Sequence, residues 1–251
     1  MAAKRVRALR PVNRPPPSRG PAVQNLLLAA LPLDEYERVA QGLEVIPLKL
    51  KQFVHSPGDP VEHVYFPGGG FLSVLTVLED GCMVEVATIG REGMTGVSAA
   101  LDGNGPRSVV MVQAQMSTCY RLPVADFRRE MDRHGAFFTS VTRYSQAFIG
   151  MIMQSTACNA VHSVEQRLAR WLLMAHDRVG KNEFPLTQEF VAMMLGAARP
   201  TVSVVAGTLQ SAGLITYRRG NVTIVDREEL ESASCECYRA AADLLRGVSV
   251  R

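Results

Sequence analysis

Residues 186–224 constrain the fold of this chain most, because two helical patterns are followed there by the pattern of a short hairpin. Thr187 is a favourable N-cap, and the apolar residues after it recur at helical spacing until Gly196 ends the pattern. A second helix is predicted to begin at Arg199, since Pro200 fits a first helical turn, where its missing N–H would be unpaired anyway. The pattern therefore predicts a helix-turn-helix.

The second predicted helix has one apolar and one polar side. Its apolar positions, expected to face a core, are Val202, Val205, Leu209 and the following Leu214. Its polar side, expected to remain available to DNA, carries Arg199, Thr201, Ser203 and Gln210. The predicted DNA-contacting residues at the starts of the two helices are Thr187, Gln188, Arg199, Pro200, Thr201 and Ser203.

The segment after these helices predicts a β-hairpin wing. Residues 215–217 and 222–225 have the composition of short strands, and the turn between them contains Arg218 and Arg219. Two cations at a hairpin tip suit contact with DNA phosphates. The alternative for the whole segment is a helical hairpin inside a larger α domain, and the wing disfavours it.

The N-terminus is strongly basic. Residues 1–21 hold six cations, no acid and several prolines, which predicts a disordered basic arm. We find no signal peptide, because the apolar run of residues 26–31 is short and is followed by Pro32. No stretch has the length of a transmembrane helix. We therefore expect a cytoplasmic protein without a membrane partner, whose five cysteines are reduced.

Residues 45–122 read as short strands cut by glycine and proline. The strand-like runs are VIPLKL, HVYFP, FLSVLTVL, MVEVATIG, SVVMVQAQ and TCYRLP. Their number and spacing predict an antiparallel, jelly-roll-like β-roll or barrel.

A long helix is predicted after the strands. Its apolar residues step by four and three, as in a coiled-coil seam, at Phe137, Val141, Tyr144, Phe148, Met151, Ser155 and Cys158. We expect this seam to form a dimer, the alternative being a helix laid on its own β domain. A further helix over residues 164–178 is predicted to turn Leu168, Trp171, Leu172 and Ala175 inward.

This α+β order of β-roll, central helix and winged helix-turn-helix resembles the Crp/Fnr family of bacterial transcription regulators. The similarity is most specific at residues 196–203 and 209–215, and the β-roll landmarks are Tyr65-Phe66, Gly70, Val84-Glu85-Val86, Ile89-Gly90 and Gly93. The expected divisions are a basic arm (1–21), a cyclic-nucleotide-binding-like β-roll (22–133), a dimerisation helix (134–160), a DNA-binding domain (161–228) and a C-terminal tail (229–251). The resemblance implies a homodimer that reads a palindrome and contacts RNA polymerase.

The resemblance also places a possible effector site. Cyclic-nucleotide pockets of the family use a Gly-Glu pair and, eleven residues after the glycine, an Arg-Ser pair; here Gly96, Arg107 and Ser108 keep that spacing. Val97 replaces the carboxylate, and Ile152 and Met153 fall where the central helix would offer hydroxyls to adenine. We therefore expect no cofactor and no response to cyclic AMP, and the β-roll then serves as a dimerisation scaffold or binds another small-molecule effector, whose identity the sequence does not give. There are two alternatives. The first is a cyclic-nucleotide-responsive regulator that uses Arg107 as a phosphate ligand, and the second is a regulatory subunit that does not bind DNA.

Other sensors and enzyme classes find little support in the sequence. An iron–sulfur switch needs thiolates closely spaced near the N-terminus, whereas the first cysteine is Cys82. Each of the five histidines stands alone, and a single histidine is weak evidence for a haem. Cys235 and Cys237 lack a further pair of ligands nearby in sequence, so we interpret them as ordinary tail residues and expect no metal.

No phosphate loop, nucleophile elbow or zinc-protease motif occurs in the sequence. A metal-dependent barrel enzyme would need His55, Glu62 and His63, but neighbouring residues of a strand point to opposite faces. We therefore expect a protein that is not an enzyme.

Overall fold

A computed structural model describes residues 23–100 and 108–249. The predicted basic arm and Arg107 lie outside these ranges. Within them, residues up to 74 and from 89 to 145 form one compact unit, and residues 75–88 and those from 146 onward form a second.

The first unit contains most of the roll, while residues 75–88, which form the end of one strand, a turn and most of the next strand, belong to the second unit. Two short helices, α1 (Leu26–Ala29) and α2 (Leu33–Ala40), precede the strands β1 (Glu44–Leu48), β2 (Phe53–His55), β3 (His63–Pro67), β4 (Phe71–Val77), β5 (Met83–Ile89), β6 (Val109–Ala114) and β7 (Met116–Pro123). The sheets have the orders β1-β7-β3 and β2-β6-β4-β5, and β1, β3 and β2 pair antiparallel with their neighbours. All six predicted strand runs are confirmed. The strand β2 was missed, because three residues are too few to show a period of two.

Asn25 fixes the entry of the chain into this unit. Its side-chain amide donates to the carbonyls of Pro67 (3.0 Å) and Gly93 (2.9 Å), and its Oδ1 accepts from the first backbone N–H groups of α1. Gly93 packs so closely against the ring of Tyr144 that no side chain would fit there. The Tyr144 hydroxyl in turn donates to the carbonyl of Met94 at 3.1 Å.

Two helices follow the roll, α3 (Val124–Met131) and α4 (Ala136–Val161). The carboxylate of Glu35 caps α4 by accepting from the N–H groups of Ala136 and Phe137, both at 2.8 Å. Such a cap also suits the positive end of the helix dipole.

The coiled-coil seam predicted for α4 faces its own chain at five of its seven positions, while Phe148 and Ser155 are half-buried. Phe137, Val141, Tyr144, Met151 and Cys158 are buried within their own chain. The ring of Phe137, for example, lies 5.7 Å from that of Phe127 and 6.5 Å from that of Phe66. Apolar residues spaced by three and four mark a buried helix face, but the spacing does not say whether the same chain or another buries it.

The second unit contains the C-terminal helices and the wing. Its elements are α5 (Val164–Val179), β8 (Glu183–Pro185), α6 (Gln188–Leu195), α7 (Arg199–Ser211), β9 (Ile215–Arg218), β10 (Asn221–Ile224), α8 (Arg227–Ala233) and α9 (Cys237–Ser249). The residues predicted to face inward from α5 are all buried: Leu168, Trp171, Leu172 and Ala175.

The segment expected to be a C-terminal tail is structured. Asp226 caps α8 by accepting from the N–H of Glu229, and α8 and α9 both contact α5. The two helices α8 and α9 therefore belong to the same compact unit as α5. Among the described residues, no single helix is long and apolar enough to cross a membrane, although α6 and α7 would reach that length and composition as a bent pair.

Candidate nucleic-acid interface

The helix α6 begins and ends as its sequence predicts. The hydroxyl of Thr187 accepts from the N–H of Phe190 at 3.3 Å, which makes Thr187 the N-cap. Gly196 ends the helix in a left-handed conformation with a φ of 56°, which glycine adopts without steric cost. The positions of Thr187 and Gly196 fix the length of the turn before the next helix.

The helix α7 presents one buried and one exposed face. It begins at Arg199, with Pro200 in its first turn, as predicted. Its buried residues are Val202, Ala206 and Leu209, whereas Val205 is only half-buried. Ala206 therefore replaces Val205 in the predicted core face, because 202, 206 and 209 keep the helical period better.

The predicted polar face of α7 is confirmed as exposed: Arg199, Thr201, Ser203 and Gln210 all reach solvent, as does Pro200. Val204 lies on this side as well and is 70% exposed. Val204 was not among the DNA-contacting residues predicted from the sequence. Its position outside the buried stripe of α7 could have indicated that it is exposed. Residues 190–225, which contain α7 and the β9–β10 hairpin of the wing, hold three arginines and no acidic residue.

Hydrogen bonds join the two helices to each other and to the wing. The hydroxyl of Ser203 donates to Oε1 of Gln188 at 2.7 Å. Gln210 accepts from the backbone N–H of Tyr217 at 2.8 Å, so it supports the wing from α7. The hydroxyl of Tyr217 donates to the carbonyl of Leu186 at 2.5 Å, and burial raises the pKa of Tyr217 to about 12, which keeps that donor protonated.

The wing is a three-stranded sheet of order β8-β10-β9. Its tip is a two-residue turn in which Arg219 and Gly220 both have positive φ, 49° and 80°, as a type I′ hairpin requires. Arg218 and Arg219 are exposed, and neither forms an ion pair with an acid in the described part of the chain. The strand β8 was not predicted, because three residues containing a proline give no strand signal.

Of the predicted effector residues, the structure describes Gly96 and Ser108, whereas Arg107 lies outside the described ranges. Gly96 has a φ of 75°, and a Cβ there would approach Cγ1 of Val64 to 2.9 Å, so its backbone conformation and its packing both favour glycine. Val97 begins a short 3₁₀ helix and Ser108 is half-buried just before β6. Ile152 and Met153 lie in the second unit, where Met153 is 67% exposed.

His55, which was weighed as an enzyme ligand, is a core residue. Its Nε2 lies 2.8 Å from the hydroxyl of Thr95, and burial lowers its pKa to about 4, with the nearby His63 lowering it further. The imidazole is therefore neutral at pH 7. Glu62, beside His63 in sequence, is exposed.

The interpretation of Cys235 and Cys237 as ordinary tail residues needs correction. Both are buried, and they lie with Cys158 and His162 in one cluster of potential metal ligands. Sequence reasoning missed this cluster because its two halves are more than seventy residues apart.

Comparison with known proteins agrees with this architecture. Residues 45–134 match the family model of the cyclic nucleotide-binding domain, and residues 166–233 match that of the Crp-like helix-turn-helix domain. No curated protein sequence matches the chain.

Solved structures of similar fold include a protein from Eubacterium rectale assigned to the Crp/Fnr family of transcriptional regulators. It has a TM-score of 0.67 and 18% identity, over 82% of this chain and 96% of that one. A Crp-family regulator from Thermus thermophilus has a TM-score of 0.64 and 21% identity, over 75% and 95%. The c-di-GMP-responsive regulator CLP of Xanthomonas campestris has a TM-score of 0.61 and 14% identity, over 78% and 100%. The chain therefore combines a cyclic nucleotide-binding domain with a Crp-like helix-turn-helix DNA-binding domain of transcriptional regulators, and its fold is similar to that of solved Crp/Fnr-family structures.

Proposed function

We propose that this regulator binds a palindromic operator as a homodimer, with α7 in the major groove and the tip of the wing on the DNA backbone. The observation that carries the proposal is the charge of residues 190–225: three arginines, all exposed, and no acid. Phosphates attract such a surface, and sequence is read where side chains reach base edges.

Base contacts are proposed for the first two turns of α7. Arg199 can donate two hydrogen bonds to O6 and N7 of guanine, and Thr201 and Ser203 can bond to several bases. Val204, which follows Ser203 and is exposed, offers methyl groups that suit contact with the methyl group of thymine. Pro200 has no side-chain acceptor, so it cannot select cytosine.

A homodimer is proposed through the exposed side of α4. Ile149 and Met153 are 56% and 67% exposed and stand four residues apart, with Gln146 and Ala160 exposed on the same side. An apolar stripe of this kind on a long helix suits packing against the same helix of a second copy. This stripe replaces the seam that the sequence predicted.

Selection of binding sites from random duplexes tests the proposal. The full chain should enrich a sequence with two-fold symmetry whose half-sites lie about one helical turn, or a multiple of it, apart. A shift assay should then show a dimer on the selected site. Enrichment of an asymmetric single site bound by a monomer would contradict the homodimer, and no enrichment would favour a regulatory subunit that does not bind DNA.

Cyclic AMP is proposed not to act as effector. Val97 offers no carboxylate to a ribose hydroxyl, and Ile152 and Met153 offer no hydroxyl to adenine. Each missing bond to a buried polar group costs about 1–3 kcal/mol, so two or three losses lower affinity by a factor of roughly 10² or more. Isothermal titration should show no low-micromolar binding. If it does, and operator affinity rises with it, the alternative that uses Arg107 as phosphate ligand is correct.

The remaining parts of the proposal follow from the family. We expect the dimer to contact RNA polymerase, to work in the cytoplasm and to have no catalytic activity. In-vitro transcription from a promoter that carries the selected site tests the polymerase contact: a change in transcript level only when the site is present is the expected result.

A further inference from the structure

Four potential metal ligands meet where the last turn of α4 lies beside the junction of α8 and α9. Cys158 is in that last turn and His162 directly follows the helix, four residues later. Cys235 lies between α8 and α9, and Cys237 is the first residue of α9. All four belong to the second unit, so the cluster lies within one compact part of the molecule.

The separations between the ligand atoms are close to those of a tetrahedral site. All four atoms lie within 4.8 Å of one another. The two sulfurs of Cys158 and Cys235 are 3.5 Å apart, and the sulfur of Cys237 is 3.6 Å from Nδ1 of His162. Zinc bonds of about 2.3 Å to sulfur and about 2.0 Å to nitrogen place tetrahedral ligands roughly 3.5–3.8 Å apart. Small side-chain movements are enough to complete the geometry.

Neighbouring side chains orient two of the ligands. Nε2 of His162 lies 3.2 Å from a carboxylate oxygen of Glu236, which leaves Nδ1, the atom beside Cys237, free to bind. The side-chain amide of Gln154 donates to the sulfur of Cys237 at 3.0 Å. Protein metal sites commonly surround their ligands with carboxylate–histidine pairs and further hydrogen bonds of this kind.

The charge around the cluster also suits a metal thiolate centre. Arg167 and Arg170 of α5 are 9% and 7% exposed, and Nε of each has no hydrogen-bond partner among the described residues. No carboxylate forms an ion pair with either guanidinium in the part of the chain that the structure describes. Both guanidinium groups lie near Cys158. Three thiolates and one zinc ion have a net charge of −1, which nearby cations stabilise.

We propose that Cys158, His162, Cys235 and Cys237 bind one zinc ion in a structural site. Three thiolates and an imidazole in tetrahedral arrangement are a donor set that zinc prefers, and four protein ligands leave no open position for a substrate. The ion ties the end of α4 to the start of α9. The protons of the three thiols leave to solvent as the metal binds, and no electron is transferred.

Metal analysis of the full chain tests the proposal. The protein, purified under reducing conditions and then dialysed with a small excess of zinc, should hold one zinc per chain after gel filtration. Cobalt substituted for zinc should give the absorption of a tetrahedral site with sulfur-to-cobalt charge transfer. A folded wild-type chain that holds no stoichiometric zinc, or a cobalt spectrum of octahedral oxygen coordination, overturns the proposal.

Variants assign the ligands. Cys235→Ser and Cys237→Ser should each lose the charge-transfer band or weaken zinc binding by tenfold or more, while Cys82→Ser, which changes an exposed cysteine away from the cluster, should keep full occupancy. If a ligand variant does not fold, the stoichiometry and cobalt spectrum of the wild type still decide. Equal zinc content in all folded variants contradicts the assignment. So does a Cys158–Cys235 disulfide, detected by peptide mass, that persists under the reducing conditions and excludes metal.

Discussion

Ser203 on α7 donates a hydrogen bond of 2.7 Å to Oε1 of Gln188 on α6. Both residues are on the predicted DNA-contacting surface, yet they bond to each other across the turn that joins the two helices. The bond orients the amide of Gln188, leaving its N–H groups as donors for a phosphate or a base. Ser203 thereby orients the side chain of Gln188 for the proposed contact with DNA.

Gln188 and Ser203 should therefore act as a coupled pair in operator binding. In a double-mutant cycle, Gln188→Ala and Ser203→Ala should show a coupling of about 0.5–1.5 kcal/mol, because either change alone already breaks the bond. The pair Gln188→Ala and Thr201→Ala is the control, since no hydrogen bond joins those side chains in the structure. Additive effects in the first cycle would show that the bond does not form on DNA.

Arg199 should carry much of the sequence preference. Replacing Arg199 by alanine is expected to cost about 1–3 kcal/mol on the selected operator and to relax the preference at one base pair in each half-site. The control Arg91→Ala removes the same charge from an exposed position of the first unit and should change neither quantity. A uniform loss on all sequences would instead make Arg199 a phosphate contact.

The wing arginines should contribute mainly salt-dependent affinity. Removing one phosphate contact lowers the slope of log K against log salt by about one and leaves sequence preference unchanged. Arg219→Asn is the suitable variant, because asparagine tolerates the positive φ at this position and the turn is preserved. Arg218→Ala should act similarly, whereas Arg239→Ala on α9 should leave the slope as it is. An unaltered slope for both wing variants would place the wing away from DNA.

Dimerisation should depend on the exposed stripe of α4. Met153→Glu and Ile149→Glu would each place a carboxylate in the proposed interface, which is costly when the charge is buried without a partner. Sedimentation should then show a monomer, and operator binding should fall with it. Leu33→Glu, at another exposed apolar position, should remain dimeric. Dimers of normal affinity in both stripe variants would require a different interface.

His55 should make the stability of the first unit depend on pH. Its folded-state pKa of about 4 lies below the unfolded value of 6.5, so between these values the unfolded chain binds more protons than the native chain. Stability should therefore fall as the pH drops through this window, by about 2 kcal/mol between pH 7 and pH 5. Urea unfolding followed by circular dichroism measures the loss. His55→Gln should have a smaller dependence, and an equal one would assign the effect to other groups.

The starts, ends and faces of the helices at the DNA interface were predictable from the sequence, because the signals there are local. Thr187 and Gly196 cap α6 through bonds to residues at most four positions away, and the buried face of α7 follows from helical spacing. The hairpin turn at Arg219 and Gly220 is equally local. For these elements the chain needs no distant contact to select its conformation.

Only the tertiary structure decided which elements pack against each other. The apolar stripe of α4 has the same spacing whether it packs on its own chain or on a second copy, and packing on Phe66 and Phe127 settles the matter for Phe137. Likewise, Cys158 and Cys235 become neighbours only because α5 brings α8 and α9 beside the end of α4. Periodicity and capping depend on residues within a few positions in sequence, whereas these contacts depend on how whole elements pack.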